Sequence, residues 1–251
     1  MELLRKLVRL PLVFLWLCVI SVSAFFTTHL AGERWKCIAL AARFCRLWAG
    51  GILRIMNIRV EVIGDPAAFG GGLIVSNHLG SLDIPVHASV FPIRFAPKAE
   101  MRRWPLLGFM VQQSRPVWID RSSRQQSRKT ADEISATLQH GINMLVYPEG
   151  TSSSGDGILP FKSTPFEAAV NAGVPVLPVL TRYLPAADGR PLAWFGDTPF
   201  FTHISSISGL KEIRAQVYIM QQMVPFPGED RKSFALRVHR RMSEEYSRIA
   251  G

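Results

Sequence analysis

Cysteine is scarce in this 251-residue chain, and what there is could not build a framework. The three cysteines, Cys18, Cys37 and Cys45, all fall in the first fifth, with no C-x-x-C pair. That excludes a disulfide scaffold and a cysteine zinc site, and it fits a reducing compartment. No H-E-x-x-H, carboxylate cluster, P-loop or dinucleotide glycine pattern occurs, so neither a metal nor a bound cofactor is expected. G-x-S-x-G is missing too, which removes the common serine nucleophile elbow. Acid is the minority charge, 19 Asp and Glu against 29 Lys and Arg, for a net charge of +10. Such a surface favours anionic partners: nucleic acid, anionic lipid or phosphorylated ligands. An apolar content of 48% excludes general disorder and is enough for one large α/β core with an appendage.

The appendage is the N-terminal segment, residues 1–57. Leu10 to Phe26 carries no charge and approaches the roughly 20 residues that cross a bilayer. A signal peptide is the competing reading, with Arg5, Lys6 and Arg9 as its basic region and Val22-Ser23-Ala24 as its cleavage site. Arg34, Lys36, Arg43 and Arg46 follow the run, so positive charge flanks both sides and a simple single span is not favoured. In the next segment Trp35, Ile38, Ala42, Cys45 and Trp48 recur near helical spacing, as in a helix lying at an interface or packed on a core. The expectation is a membrane-embedded or interfacial helix pair.

Residues 58–251 read as one α/β domain. IRVEVIG alternates like a strand, and LIVSN is a short apolar run of the kind buried in a sheet. Ser122 to His140 reads as a helix with Ile134 and Leu138 inward, followed by the strand NMLVYP. Thr164-Pro165-Phe166-Glu167 reads as a capping box opening a helix that stops at Gly173, before the strand VPVLPVL. Asp230 to Ile249 reads as a final helix with Phe234, Val238, Met242 and Ile249 on one face. This alternation predicts a mixed, partly parallel sheet flanked by helices.

Two titratable residues stand out in SNHLGSLDIP. A five-residue offset puts two helical side chains about 140° apart, so His78 and Asp83 can meet only across a turn. Gly80 supplies the turn, Ser81 a candidate N-cap, and Asp83 then leans back from the first helical turn towards His78. A carboxylate on one imidazole nitrogen fixes the tautomer and leaves the other nitrogen as a base for an alcohol. Read alone, the same pair also fits a helix cap beside a structural histidine.

Asn77-His78-x-x-x-x-Asp83, taken with Tyr147-Pro148-Glu149-Gly150-Thr151, resembles the paired signature of the glycerolipid acyltransferase family, which includes 1-acylglycerol-3-phosphate acyltransferases. Ile119-Asp120-Arg121, Phe161-Lys162 and the Val174 to Val179 stretch resemble further blocks of it. The resemblance implies that His78 is the general base and Asp83 its orienting partner, that the acceptor hydroxyl attacks an acyl thioester directly, and that Glu149, Gly150 and Thr151 help bind the acceptor. The donor, acyl-CoA or acyl carrier protein, is then a co-substrate, and the partners are membrane lipids and a lysophospholipid rather than nucleic acid. It also implies a membrane enzyme with its catalytic domain facing the cytoplasm.

Arg121, and less firmly Lys98, are the candidates for the acceptor's phosphate, since a guanidinium grips phosphate oxygens in bidentate fashion. Glu149 is expected to contact hydroxyls or pair with a basic residue. Many relatives carry arginine after the threonine of the third block, whereas this chain has Ser152. Serine-rich versions followed by Leu-Pro-Phe-Lys-Ser resemble enzymes acylating lyso-ornithine lipid, which makes that lipid the alternative acceptor. His87, like the remaining histidines, has no motif partner in the sequence.

Overall fold

Two long helices pack antiparallel at the N-terminus, α1 (Glu2–Leu30) and α2 (Arg34–Met56). The structure, a computed structural model, describes residues 1–120 and 123–250. The domain that follows runs β1 (Ile58–Ile63), β2 (Leu73–Ser76), α3 (Asp83–Val90), β3 (Arg94–Phe95), α4 (Leu107–Gln113), α5 (Arg124–Gln139), β4 (Met144–Val146), α6 (Thr164–Ala172), β5 (Val176–Tyr183), α7 (Phe200–Ser208), β6 (Ile213–Ile219) and α8 (Arg231–Ala250), with short 3₁₀ turns between. Its six strands form one sheet in the order β1-β6-β5-β2-β4-β3. Pairing is parallel except between β5 and β6, so the sheet is mixed, as the alternation of elements predicted.

Helices cover both faces of the sheet, which explains the unbroken apolar runs of the central strands. Ile74, Leu145, Leu177 and Val179 pack with α2 and α3 on one side. Their neighbours Leu73, Val75, Met144, Val146, Val176 and Leu180 pack with α5, α6 and α8 on the other. The alternation is the strand period of two applied to central strands that are buried on both faces. On the second side Phe166 and Phe234, both fully buried, meet edge to face at 5.8 Å.

Local signals succeed where the backbone alone decides and fail where tertiary contacts compete. Ser123 caps α5, accepting from the Gln126 N–H at 3.2 Å, and Ile134 and Leu138 are buried as expected. Gly173 ends α6 in the left-handed region, and Phe234, Val238 and Met242 line the buried face of α8. The capping box at Thr164 does not form. The helix begins one residue earlier, Ser163 occupies the cap position without a side-chain bond, and Glu167 is instead drawn into an ion pair with Arg231.

The basic residues before the apolar run dock on the domain. Arg5 donates to the Gly209 carbonyl at 2.6 Å and Arg9 to those of Ser208 (3.1 Å), Leu210 and Lys211, capping the carboxyl end of α7. Cations there complement exposed carbonyls and the helix dipole. Glu2 binds Arg190 close by. At its other end α1 packs on α4, so it lies along the domain rather than projecting from it. The outer face carries Leu4, Leu7, Val8, Leu12, Phe14, Leu15, Val19, Val22 and Phe26, all exposed. At 100° per residue these fall on one half of the helix, a continuous apolar stripe. By length and composition alone, α1 is also the one described helix apolar enough to cross a bilayer.

Candidate active site

Three adjacent parallel strands, β5, β2 and β4, end side by side, and each contributes to one cluster at its carboxyl end. β2 leads into Asn77 and His78, β4 into Tyr147 to Glu149, and β5 carries Thr181 and Tyr183. Asn77 extends the sheet with its side chain: its amide donates to the Thr181 carbonyl at 3.0 Å, and its oxygen accepts the Thr181 N–H at 2.8 Å. That fixes the point at which the chain leaves the sheet towards His78.

His78 and Asp83 do meet. Nδ1 of His78 lies 2.7 Å from Oδ2 of Asp83, and the same oxygen accepts the backbone N–H groups of Leu79 (2.6 Å) and Gly80 (2.9 Å). The Tyr183 hydroxyl donates to Oδ1 at 2.7 Å. Asp83 is fully buried, and burial alone would raise its pKa; the bond from His78 and the Tyr183 hydroxyl outweigh that and hold it below its ordinary value. An ionised acceptor requires Nδ1 to carry the proton. Nε2 of His78 is then the basic nitrogen, and it meets no hydrogen-bonding group among the described residues.

The turn that makes this possible differs from the one expected in a single respect. Asp83 is the first residue of α3, but Ser81 does not cap it: Leu82 holds the cap position, and the buried Ser81 Oγ has no partner among the described residues. The Asp83 carboxylate gathers the preceding N–H groups itself. Gly80 has φ 138°, and a Cβ there would lie 2.7 Å from Cβ of Trp194, so no other residue fits without a shift. Trp194 closes the loop from outside by donating its N–H to the Leu79 carbonyl at 2.7 Å.

Beneath the His78 ring lies a second layer that sequence reasoning did not assemble. The Tyr147 ring stacks on the His78 imidazole, 4.0 Å between centroids and 14° from parallel. Its hydroxyl is 3.0 Å from Nδ1 of His87, whose Nε2 is 2.8 Å from the Thr181 hydroxyl. Burial pushes His87 down to about 4, against the pull of Asp83, so it is neutral at physiological pH. His87 therefore has partners after all, but they come from β4 and β5, far along the chain. The sequence signals for this layer are Tyr147, in the quoted block, and Thr181, a polar residue near the end of an otherwise apolar strand.

Glu149 is held by backbone N–H groups: Oε1 accepts the His78 N–H at 2.9 Å and Oε2 the Leu159 N–H at 3.2 Å. It is 4% exposed, and burial pushes its pKa up to about 7 although both N–H groups pull the other way. Glu149 thus ties the Tyr147 to Thr151 block to the His78 backbone, and the Ser153 N–H adds to this by binding the His78 carbonyl at 2.9 Å. Gly150, at φ 75°, lets Lys162 approach: a Cβ there would stand 2.8 Å from the ammonium nitrogen. Thr151 is exposed beside it. Lys98 is exposed and pairs through its backbone with Ile119, the first residue of the Ile119-Asp120-Arg121 block. Arg121 lies outside the described residues.

Fold and dyad together describe an α/β protein that holds a carboxylate-bound imidazole at the carboxyl ends of its parallel strands. The Acyltransferase family pattern matches residues 59–182. A 1-acyl-sn-glycerol-3-phosphate acyltransferase of Neisseria meningitidis is 38% identical over 170 residues, 66% of each chain. A lyso-ornithine lipid O-acyltransferase of Pseudomonas aeruginosa is 32% identical over 200 residues, 78% of this chain and 75% of that one. The crystal structure of the 1-acyl-sn-glycerophosphate acyltransferase PlsC from Thermotoga maritima superposes with a TM-score of 0.75 at 19% identity, covering 100% of this chain and 96% of that one, and so shares the fold. The chain belongs to the glycerolipid acyltransferase family.

Proposed function

We propose that this chain is a membrane-associated O-acyltransferase. It moves a fatty acyl group from a thioester, acyl-CoA or acyl carrier protein, to the free hydroxyl of a lysophospholipid, with 1-acyl-sn-glycerol-3-phosphate as the acceptor and phosphatidic acid as the product. The observation that carries this reading is the saturated Asp83 carboxylate, which leaves His78 one proton-accepting nitrogen. Nε2 takes the proton of the acceptor hydroxyl as its oxygen bonds to the thioester carbonyl; the tetrahedral centre collapses, the C–S bond breaks, and the thiolate leaves with the proton returned by His78. Asp83 stabilises the imidazolium between the two transfers. No group resident in the protein is needed beyond these side chains.

The reading places α1 in the lipid interface, its exposed apolar half in the acyl region and its arginines turned to α7, with the catalytic domain on the cytoplasmic face. Ser152, where many relatives have arginine, supports lyso-ornithine lipid as the second candidate acceptor. The deciding experiment offers the purified full-length chain both donors with lysophosphatidate and lyso-ornithine lipid. His78→Ala should lower transfer by about two orders of magnitude or more while vesicle binding persists. Wild-type protein that acylates no lysolipid from either donor would sink the proposal.

A further inference from the structure

We infer that the apex of the N-terminal hairpin holds a phosphate-binding site, separate from the dyad, built by Arg34, Arg94 and Arg115. A cavity of about 430 Å³ opens where α1 turns into α2, lined by these arginines with Thr28, His29 and Gln112 among others. It lies at the far end of the sheet from His78: Arg94 pairs in register with Met144, the first residue of β4, whereas His78 follows the last residue of β2.

The charges in this cavity do not balance. Arg94 is 5% exposed and donates to Oε1 of Glu133 (2.8 Å), to the Thr137 hydroxyl (2.5 Å) and to the Arg115 carbonyl (2.6 Å). Arg34 reaches the same carboxylate, at 2.6 and 2.5 Å to its two oxygens. Glu133 therefore serves two guanidiniums, and Arg115 pairs with no acid among the described residues. Three cations against one anion leave +2 at the cavity.

Arg115 is held there at a cost. Its backbone has φ 50°, in the left-handed region that a non-glycine residue seldom occupies. Nε is buried without a hydrogen-bond partner among the described residues, and the guanidinium's one described bond is a long one of 3.5 Å to the Thr28 hydroxyl. A buried charged donor lacking an acceptor is unfavourable, so the arrangement suits a ligand that brings oxygens and negative charge together. Gln112 spends its oxygen on the Trp118 indole N–H at 3.1 Å, which leaves its NH₂ to donate. A phosphate offers close to two negative charges and several acceptor oxygens, matching both the surplus and the guanidinium geometry; a carboxylate offers half the charge. The phosphate can come from a phospholipid headgroup, reached through the adjoining apolar face of α1, or from a soluble phosphate ester.

The test uses full-length protein in neutral detergent and needs no turnover. Millimolar inorganic phosphate should raise the melting temperature of the wild type and equally that of His78→Ala, which keeps this site distinct from the catalytic reading. Arg115→Gln and the exposed Arg34→Gln should each weaken the apparent phosphate affinity by about tenfold or more. A second arm compares binding to phosphatidylcholine vesicles with and without phosphatidic acid. If phosphatidic acid strengthens binding of the wild type more than that of either variant, the site takes a headgroup phosphate. If soluble phosphate acts and vesicle composition does not, it takes a free phosphate ester. A wild type indifferent to phosphate in both arms, or variants that respond as the wild type does, would overturn the inference.

Discussion

Replacing Asp83 by asparagine removes one charge and almost no volume, which isolates the electrostatic part of the dyad. The amide oxygen can still accept from His78 Nδ1, Leu79 N and Gly80 N, while the Tyr183 hydroxyl can rotate to accept from the new NH₂. The turn should therefore survive, with a melting temperature within a few degrees of wild type. What disappears is the carboxylate beneath the imidazolium. Two unit charges about 4 Å apart at an effective dielectric of about 20 interact by about 4 kcal/mol. At 1.36 kcal/mol per decade, that is about three orders of magnitude in kcat. KM for donor and acceptor should move little, because neither substrate touches Asp83, which is fully buried. Initial rates of lipid product formation, followed by mass spectrometry, measure this directly. Asp83→Asn that folds normally and retains activity within about tenfold of wild type would refute the dyad, leaving Asp83 a structural clamp on the turn.

Gly80→Ala should destabilise the protein by about 1–3 kcal/mol and slow transfer, because the strained φ and the Trp194 clash both displace the Leu79 and Gly80 N–H groups; Gly157→Ala, with nothing within 4 Å of its added carbon, is the neutral control in the same melting and rate assays. Glu149 predicts a pH effect. Its folded pKa of about 7 lies above the ordinary 4.5, so its contribution to stability is full below pH 4.5 and is lost as pH rises through 7. Melting curves across that range should show a decline in wild type that Glu149→Gln lacks; parallel curves would refute the shift. On α1, Leu15→Glu with Val22→Glu alters side chains 58% and 52% exposed, so the domain should stay folded while vesicle binding falls by about tenfold or more. Co-sedimentation that is unchanged would remove α1 from the interface.

Much of the fold could be read locally. The helices from Arg124 and Arg231, the stop at Gly173 and the buried strands at Leu73, Met144 and Val176 all rest on periodicity and backbone preference within a dozen residues. The site was legible to the extent that its parts were close in sequence: His78, Gly80 and Asp83 span six residues, and their geometry follows from a turn. Where competing partners lay far off, local signals misled. Ser81 and Thr164 looked like caps, but Leu82 and Ser163 took those positions, and Glu167 went to Arg231.

The sequence by itself determined that His78 and Asp83 can meet across one glycine turn, and its paired blocks around His78 and Glu149 marked the family. Tertiary structure decided how that pair is held. Only the parallel ends of β5, β2 and β4 bring Tyr183 to Asp83, Tyr147 and His87 beneath His78, and Glu149 onto the His78 backbone. These contacts join residues 60 to 100 positions apart. Their register depends on the sheet order, which no local pattern encodes.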